Sequence, residues 1–136
     1  MTRSFISVLI AGALVLVASL LLMYGCIYLF PGLMEEYYNS VFRSSSFSTD
    51  WLFYVHPFVL SGALLWFWER YKTTFVGGAV AKAIEVSLVY GVVAMLPVLL
   101  LTFSAINVSF TMVLTWFFYG IVQAALAGWV FAVRHS

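Results

Sequence analysis

The sequence predicts an all-α integral membrane fold, a four-transmembrane-helix bundle with short loops and a short outer amphipathic segment. Two observations carry this prediction. Of 136 residues, 65% are hydrophobic and only 8% are charged, whereas soluble domains carry about a quarter charged residues. The apolar residues also form four continuous runs, and a membrane-spanning helix needs roughly 20 such residues. Because the runs fill most of the chain, we expect a single transmembrane domain over residues 1–136.

The four predicted spans cover approximately residues 5–30, 51–68, 75–103 and 108–133. They end at polar or helix-breaking residues, including Pro31, Glu69 and Arg134. Strands of a membrane barrel alternate polar and apolar residues over about ten positions, so these continuous runs favour helices. The first run exceeds the 7–15 apolar residues of a signal peptide, and we therefore predict a retained helix.

The basic residues predict the orientation of the helices. Lys and Arg mark cytoplasmic loops. Four spans place five of the six basic residues on one side, namely Arg3, Arg70, Lys72, Lys82 and Arg134. The sixth, Arg43, lies in the opposite loop. We expect both termini to be cytoplasmic, and the compact topology favours a bacterial inner membrane.

The only loop of any size covers residues 31–50. Its apolar positions repeat with helical spacing, at Leu33, Met34, Tyr37, Tyr38, Val41 and Phe42. This pattern predicts a short amphipathic helix on the outer membrane surface. It would serve as a lid or docking surface, or as a plain connection, which we favour for so short a segment. Ser44–Ser46 with Ser48 and Thr49 suggest a flexible linker, and Asp50 is placed to cap the second span.

Small residues recur every four positions in the last two spans. They are Ala79, Ala83, Ser87 and Gly91 in the third span and Gly120, Ala124, Gly128 and Ala132 in the fourth. Because helices in lipid associate through close packing, these stripes predict helix packing between the two spans, or else contact between two copies of the chain. Pro57 and Pro97 lie inside spans and should kink or widen them.

Glu85 is the charged residue whose position most invites a functional explanation, since carboxylates inside spans are costly and often functional. Lys82 stands three residues earlier, where the two side chains can pair on one helix face. A crossing from Ile84 to Phe103 puts Glu85 at the cytoplasmic edge, whereas centring the whole apolar region puts it about 6 Å from the midplane. We favour a local ion pair; the alternative is an ion or proton site.

His56 and Gln123 are the other candidates for a polar path or a ligand site. His56, near the outer face, is best interpreted as a hydrogen-bonded structural residue, with a haem, metal or proton-accepting role as the alternative. A bis-histidine haem would need a second histidine, and His135 lies at the opposite end. Gln123 should make an interhelical hydrogen bond, with four candidate partners: Ser61, Ser87, Tyr90 and Thr115.

The composition excludes several function classes. A net charge of +1 gives no footprint for nucleic acid, and a single cysteine rules out a disulfide framework or a cysteine-based zinc site. The spacing shows no Ser-His-acid set, phosphate loop or metal-ligand cluster, so we expect no enzyme, no cofactor and no metal. The leading hypothesis is a structural or accessory subunit that binds other membrane subunits or itself. The alternative is an oligomeric transporter or channel using Glu85, Gln123 and His56.

Overall fold

The computed structural model describes residues 2–135, and over that range it is helical with no strand. Four helical stretches are long and apolar enough to cross a membrane: α1, α3, α6, and α4 together with α5 (Ala79–Ala105). The elements in chain order are α1 (Thr2–Leu29), α2 (Pro31–Glu35), a 3-10 turn (Glu36–Tyr38), α3 (Phe47–Tyr71), α4 (Ala79–Tyr90), a π-helical turn (Gly91–Met95), α5 (Leu96–Ala105) and α6 (Phe110–Arg134). The prediction of an all-helical fold with four long apolar helices is confirmed.

Helix α6 is the centre of the bundle. It packs against α1, α3 and α4, and its contact with α4 is the most extensive in the molecule. Helix α1 also packs along α3. The core between α1, α3 and α6 contains Val15, Leu64, Trp68, Ala124 and Phe131, all buried. Since α4 contacts mainly α6, one side of the α4–α5 stretch has no neighbour among the described residues.

The small-residue stripes of α4 and α6 lie where these helices meet. All four members on α6 are buried, as are Ala83 and Ser87 on α4 and Gly91 at the start of the π-helical turn, whereas Ala79 is half-buried. At Gly128 an added Cβ would lie only 3.3 Å from the Ala83 Cα. The two backbones therefore approach as closely as the small residues allow.

Helix α1 carries a buried stripe that was not predicted from the sequence. Ser7, Ala11, Val15 and Ser19 are spaced by four and are all buried. A search for glycine and alanine spaced by four does not find this stripe, because Ala11 is its only glycine or alanine. This stripe holds α1 in the bundle, and its two serines make the polar contacts described below.

The start of α3 differs from the prediction. The helix begins at Phe47, four residues before the predicted bound, and Ser48 and Thr49 form part of its first turn. The backbone N–H of Ser46 donates to the Asp50 carboxylate, with an N to Oδ1 distance of 3.2 Å. The prediction of a linker is therefore wrong for Ser48 and Thr49, which are helical, whereas Ser44–Ser46 lie before the helix without regular structure.

The third span also begins later than predicted, at Ala79 rather than near residue 75. Gly77 has a φ of +98°, a backbone conformation that breaks a helix and suits glycine. Phe75 precedes this turn and is buried against Trp68, with stacked rings whose centroids are 5.5 Å apart. The aromatic side chain that looked like the start of a span therefore belongs to the loop and closes one end of the core.

The segment of residues 30–46, here the connecting segment, is not one amphipathic helix. Helix α2 and the 3-10 turn end at Tyr38, and Asn39 is extended. Leu33 and Phe42 pack against a small cluster that includes Val108 and Met112. Part of the apolar face thus packs on the ends of α5 and α6, as a connection between spans would, whereas Tyr38 and Val41 of the same face are exposed.

Pro57 and Pro97 have different local effects. Pro57 is buried inside α3, and the helix continues through it. Pro97 directly follows the π-helical turn Gly91–Met95 and the first residue of α5. Because proline removes a helical hydrogen bond, a widened turn just before it accommodates the loss.

We predict that Gly128→Leu lowers the stability of the bundle by about 2 kcal/mol, because the added side chain must push Ala83 away and overpack the α4–α6 contact. Thermal unfolding in detergent, followed by circular dichroism, measures the effect. Gly25→Leu in α1 is the matched control, since a Cβ added there would meet no neighbouring atom within 4 Å. Equal melting temperatures for the two variants would contradict the assigned contact.

Candidate functional site: a polar clasp and an apolar cavity

Lys82 and Glu85 do not form the expected ion pair. Both side chains are half-buried on the first two turns of α4. Within residues 2–135 the only ion pairs join Glu69 to Lys72 and Glu69 to His135. Glu85 lies seven residues from the middle of the Ala79–Ala105 stretch, about 10 Å along the helix axis. It is thus nearer to one end of the stretch than to its centre.

His56 is exposed on the surface of α3, next to the buried Pro57. It stands three residues from the middle of the helix, about 5 Å along the axis. In the part of the chain that the structure describes, its side chain has no hydrogen-bond partner within the usual distance. Within one chain, His56 therefore lacks the hydrogen bond that was expected of it as a structural residue.

Gln123 makes an interhelical hydrogen bond, but its partner is not one of the four candidates predicted from the sequence. Its Nε2 donates to the Ser19 Oγ over 2.9 Å, and both side chains are buried. The Ser19 hydroxyl in turn donates to the Val15 carbonyl, 2.7 Å away. The four candidates named from the sequence are therefore not the partner, and Ser61 has no hydrogen-bond partner at all among the described residues.

A polar cluster at one end of the bundle ties three helices together. We call its members, Ser7 of α1, Glu69 of α3, Arg134 of α6 and the following His135, the polar clasp. The Arg134 Nε donates to the Ser7 Oγ over 2.9 Å, and the His135 Nε2 lies 2.8 Å from the same oxygen. The His135 Nδ1 lies 2.8 Å from a Glu69 carboxylate oxygen. Four side chains from distant parts of the sequence thus meet in one cluster.

The Ser7 hydroxyl is the central group of the clasp. It donates a proton to the Arg3 carbonyl over 2.9 Å, and its oxygen accepts from the Arg134 Nε. The direction of its contact with the His135 Nε2 depends on the tautomer of the imidazole, whose Nδ1 lies beside the Glu69 carboxylate. Ser7 thus contacts its own helix, α6 and the residue that follows α6.

The order Ser7, His135, Glu69 resembles the hydrogen-bond order of a serine hydrolase, which the sequence spacing did not reveal. A nucleophilic serine must transfer its proton to the histidine and be reachable by substrate. Ser7 is 0% exposed, and its hydroxyl donates to the Arg3 carbonyl. The cluster therefore has the composition of a catalytic triad, but its serine is closed to a substrate.

At the other end of the bundle, the connecting segment is fastened to α6 by two polar contacts. The backbone N–H of Ser109 donates to the Glu36 carboxylate over 3.1 Å. The Trp116 indole Nε1 donates to the Tyr37 hydroxyl over 2.6 Å, and Phe42 contacts the Trp116 ring edge-on. Partial burial raises the pKa of the Tyr37 hydroxyl above its ordinary value, although donation from Trp116 acts in the opposite direction. Tyr37 therefore keeps its proton at neutral pH.

Beneath the connecting segment lies a cavity of about 400 Å³. Its walls come from α1, α3, α6 and the connecting segment, and they include Leu22, Cys26, Met34, Phe53, Trp116 and Tyr119. The lining is almost entirely apolar. Helix α1 buries no residue beyond Ser19, so the cavity occupies the space that closer packing of its last turns would fill.

The arrangement defines a class of protein and no more: an all-helical bundle with four helices able to span a membrane. In residues 2–135 no group of three His, Cys, Asp or Glu side chains is placed to hold a metal ion. Comparison with protein-family models, with curated proteins and with solved structures found no match to this chain.

We predict that Ser7→Ala lowers the free energy of unfolding by about 2 kcal/mol, because it removes the buried hydroxyl that contacts the partly buried side chains of Arg134 and His135. Thermal unfolding in detergent measures the loss. Ser4→Ala, one turn earlier on the same helix and without a side-chain hydrogen bond to any described residue, is the matched control and should be neutral. An equal effect of both substitutions would show that the clasp does not stabilise the bundle.

Proposed function

We propose that this chain is a small multi-pass membrane protein that acts as a structural or accessory subunit, assembled with other membrane subunits or with its own copies. One observation carries the proposal. His56 is an exposed polar side chain about 5 Å from the middle of a long apolar helix, and no described residue of its own chain satisfies it.

The cost of an unpaired imidazole in hydrocarbon supports assembly. Polar groups lose their hydrogen bonds with water on entering lipid, so intramembrane ionisable side chains generally pair with other protein groups. Glu85 adds a second case on α4, since its carboxylate is half-buried and lacks an ion-pair partner among residues 2–135. A neighbouring subunit that supplies a donor or acceptor to these surfaces removes both costs.

The alternative of an oligomeric transporter or channel has less support. Its three residues do not share a path within one chain: Gln123 is buried against Ser19, His56 is exposed on α3, and Glu85 lies on α4. A polar path would have to form between copies. We also infer a non-enzymatic role, because the Ser7 hydroxyl is buried and committed to its own helix.

We further propose a bacterial inner membrane location with both termini cytoplasmic. The antiparallel order of the long helices brings the clasp residues Ser7, Glu69 and Arg134 to one end of the bundle. Arg3, Arg70 and Lys72 neighbour them in sequence. Clustering of basic residues at one end is the pattern that faces the cytoplasm.

The assembly proposal predicts that the wild-type chain, extracted in a mild detergent, runs as a particle larger than one chain. His56→Leu and Glu85→Leu should each shift it toward single chains, because they remove the side chains that require a partner. Size-exclusion chromatography with light scattering measures the particle, and mass spectrometry identifies its subunits.

Leu21→Ala, at an exposed apolar position of α1, is the control and should leave the particle unchanged. A wild-type chain that is monomeric in native-lipid nanodiscs would contradict the assembly proposal. So would full assembly of the His56→Leu and Glu85→Leu double variant.

The orientation is tested by labelling introduced cysteines in intact cells with a membrane-impermeant maleimide. In a Cys26→Ser background, Ser44→Cys in the connecting segment should be labelled. Thr73→Cys, between α3 and α4, should react only after the membrane is permeabilised. Both positions are exposed, so accessibility within the protein does not distinguish them. The reverse labelling pattern would overturn the proposed orientation.

A further inference from the structure

The apolar cavity below the connecting segment has the size and chemistry of a small ligand site. At about 400 Å³ it lies toward the lower end of the range of 300–1,000 Å³ for pockets that bind small molecules. Its lining offers water few polar partners, so water does not fill it well, and an empty cavity forfeits packing contacts on every wall. An apolar ligand needs no polar partners in the cavity and restores the packing contacts with its walls.

The polar groups at the cavity narrow the choice of occupant. The Thr115 hydroxyl donates to the Thr111 carbonyl over 2.8 Å, so its proton is already used. The Tyr37 hydroxyl accepts from Trp116, remains protonated, and has no acceptor for its own proton among residues 2–135. The cavity therefore combines apolar walls with the Tyr37 hydroxyl, a hydrogen-bond donor at the connecting segment, and the second tyrosine of its lining, Tyr119, belongs to α6. The cavity has no charged side chain in its lining.

We propose that this cavity binds one acyl chain of a lipid, whose ester or carboxyl oxygen accepts a hydrogen bond from the Tyr37 hydroxyl. The hydrocarbon lies among Leu22, Cys26, Phe53 and Tyr119. The oxygen lies at the connecting segment, at the end of the bundle, where the headgroup level of a membrane would be. The acyl chain comes either from a phospholipid or from a free fatty acid, which share this chemistry.

The single cysteine of the chain provides the measurement. Cys26 lines the cavity, so an occupant should shield it from N-ethylmaleimide. In the delipidated protein in detergent, palmitic acid at about ten times its Kd should slow alkylation about tenfold. The control carries Cys26→Ser and Leu21→Cys, which moves the thiol to the exposed surface of α1, and its alkylation rate should stay constant. Equal slowing of both proteins, or no slowing at Cys26, overturns the proposal.

Tyr37→Phe tests the hydrogen bond while keeping the ring in place. It should weaken protection by palmitic acid about tenfold and leave protection by hexadecane, which has no oxygen, unchanged. An equal loss for both ligands would mean that the substitution merely disturbs the connecting segment, and would overturn the role of Tyr37. No loss for palmitic acid would overturn it as well.

A comparison of two ligands shows whether the acyl chain belongs to a phospholipid or to a free fatty acid. Protection by 1-palmitoyl-2-oleoyl-phosphatidylcholine at lower concentration than palmitic acid assigns the site to a bilayer phospholipid, and the reverse order assigns it to a free fatty acid. Both results support an acyl-chain site. Because the cavity is lined by residues of one chain, the labelling of Cys26 reports on the cavity whether or not chains associate, and its failure is distinct from a failure of the assembly proposal.

Discussion

Buried polar groups in an almost wholly apolar bundle are stabilised by hydrogen-bond partners, and α1 supplies two such groups as serines. Ser7 and Ser19 lie on the same buried stripe, and both receive hydrogen bonds from α6. These bonds fix the rotation and the register of α1 on α6. The clasp then extends the contact to Glu69 of α3. The packing of the core residues between α1, α3 and α6 depends on these hydrogen bonds.

The number and nature of the helices could be predicted from the sequence because they depend on local properties. An apolar run of sufficient length is a helix wherever it packs, and the spacing of Ala83 and Gly128 within their stripes is visible without knowing their partner. The helix ends were less predictable, since hydropathy does not distinguish Phe75 in a loop from Phe75 in a span. The positive φ of Gly77 prevents the third span from starting before it. At the start of α3, the Asp50 carboxylate accepts a hydrogen bond from the Ser46 backbone N–H.

The candidate site could be predicted only in part, because its contacts join residues far apart in the sequence. Gln123 was a visible candidate, yet its partner Ser19 is 104 positions away. Ser7 and His135 are separated by 128 positions, so no local sequence motif predicts the clasp. The signal that was present is the spacing of Ser7, Ala11, Val15 and Ser19 by four. It is found once serine is counted among the residues that pack helices closely.

The intrahelical bonds of the two serines have a consequence for the biogenesis of the protein. Helix α1 is synthesised first, and Arg134 and His135 follow only after more than a hundred further residues. Until then, Ser7 and Ser19 have no partner on α6, and a free hydroxyl proton in lipid would be costly. Each serine instead donates to the carbonyl four residues earlier, Arg3 and Val15 respectively. In an apolar environment, helix α1 can therefore form before α6 with both serine protons already hydrogen-bonded and with oxygen lone pairs free to accept from α6.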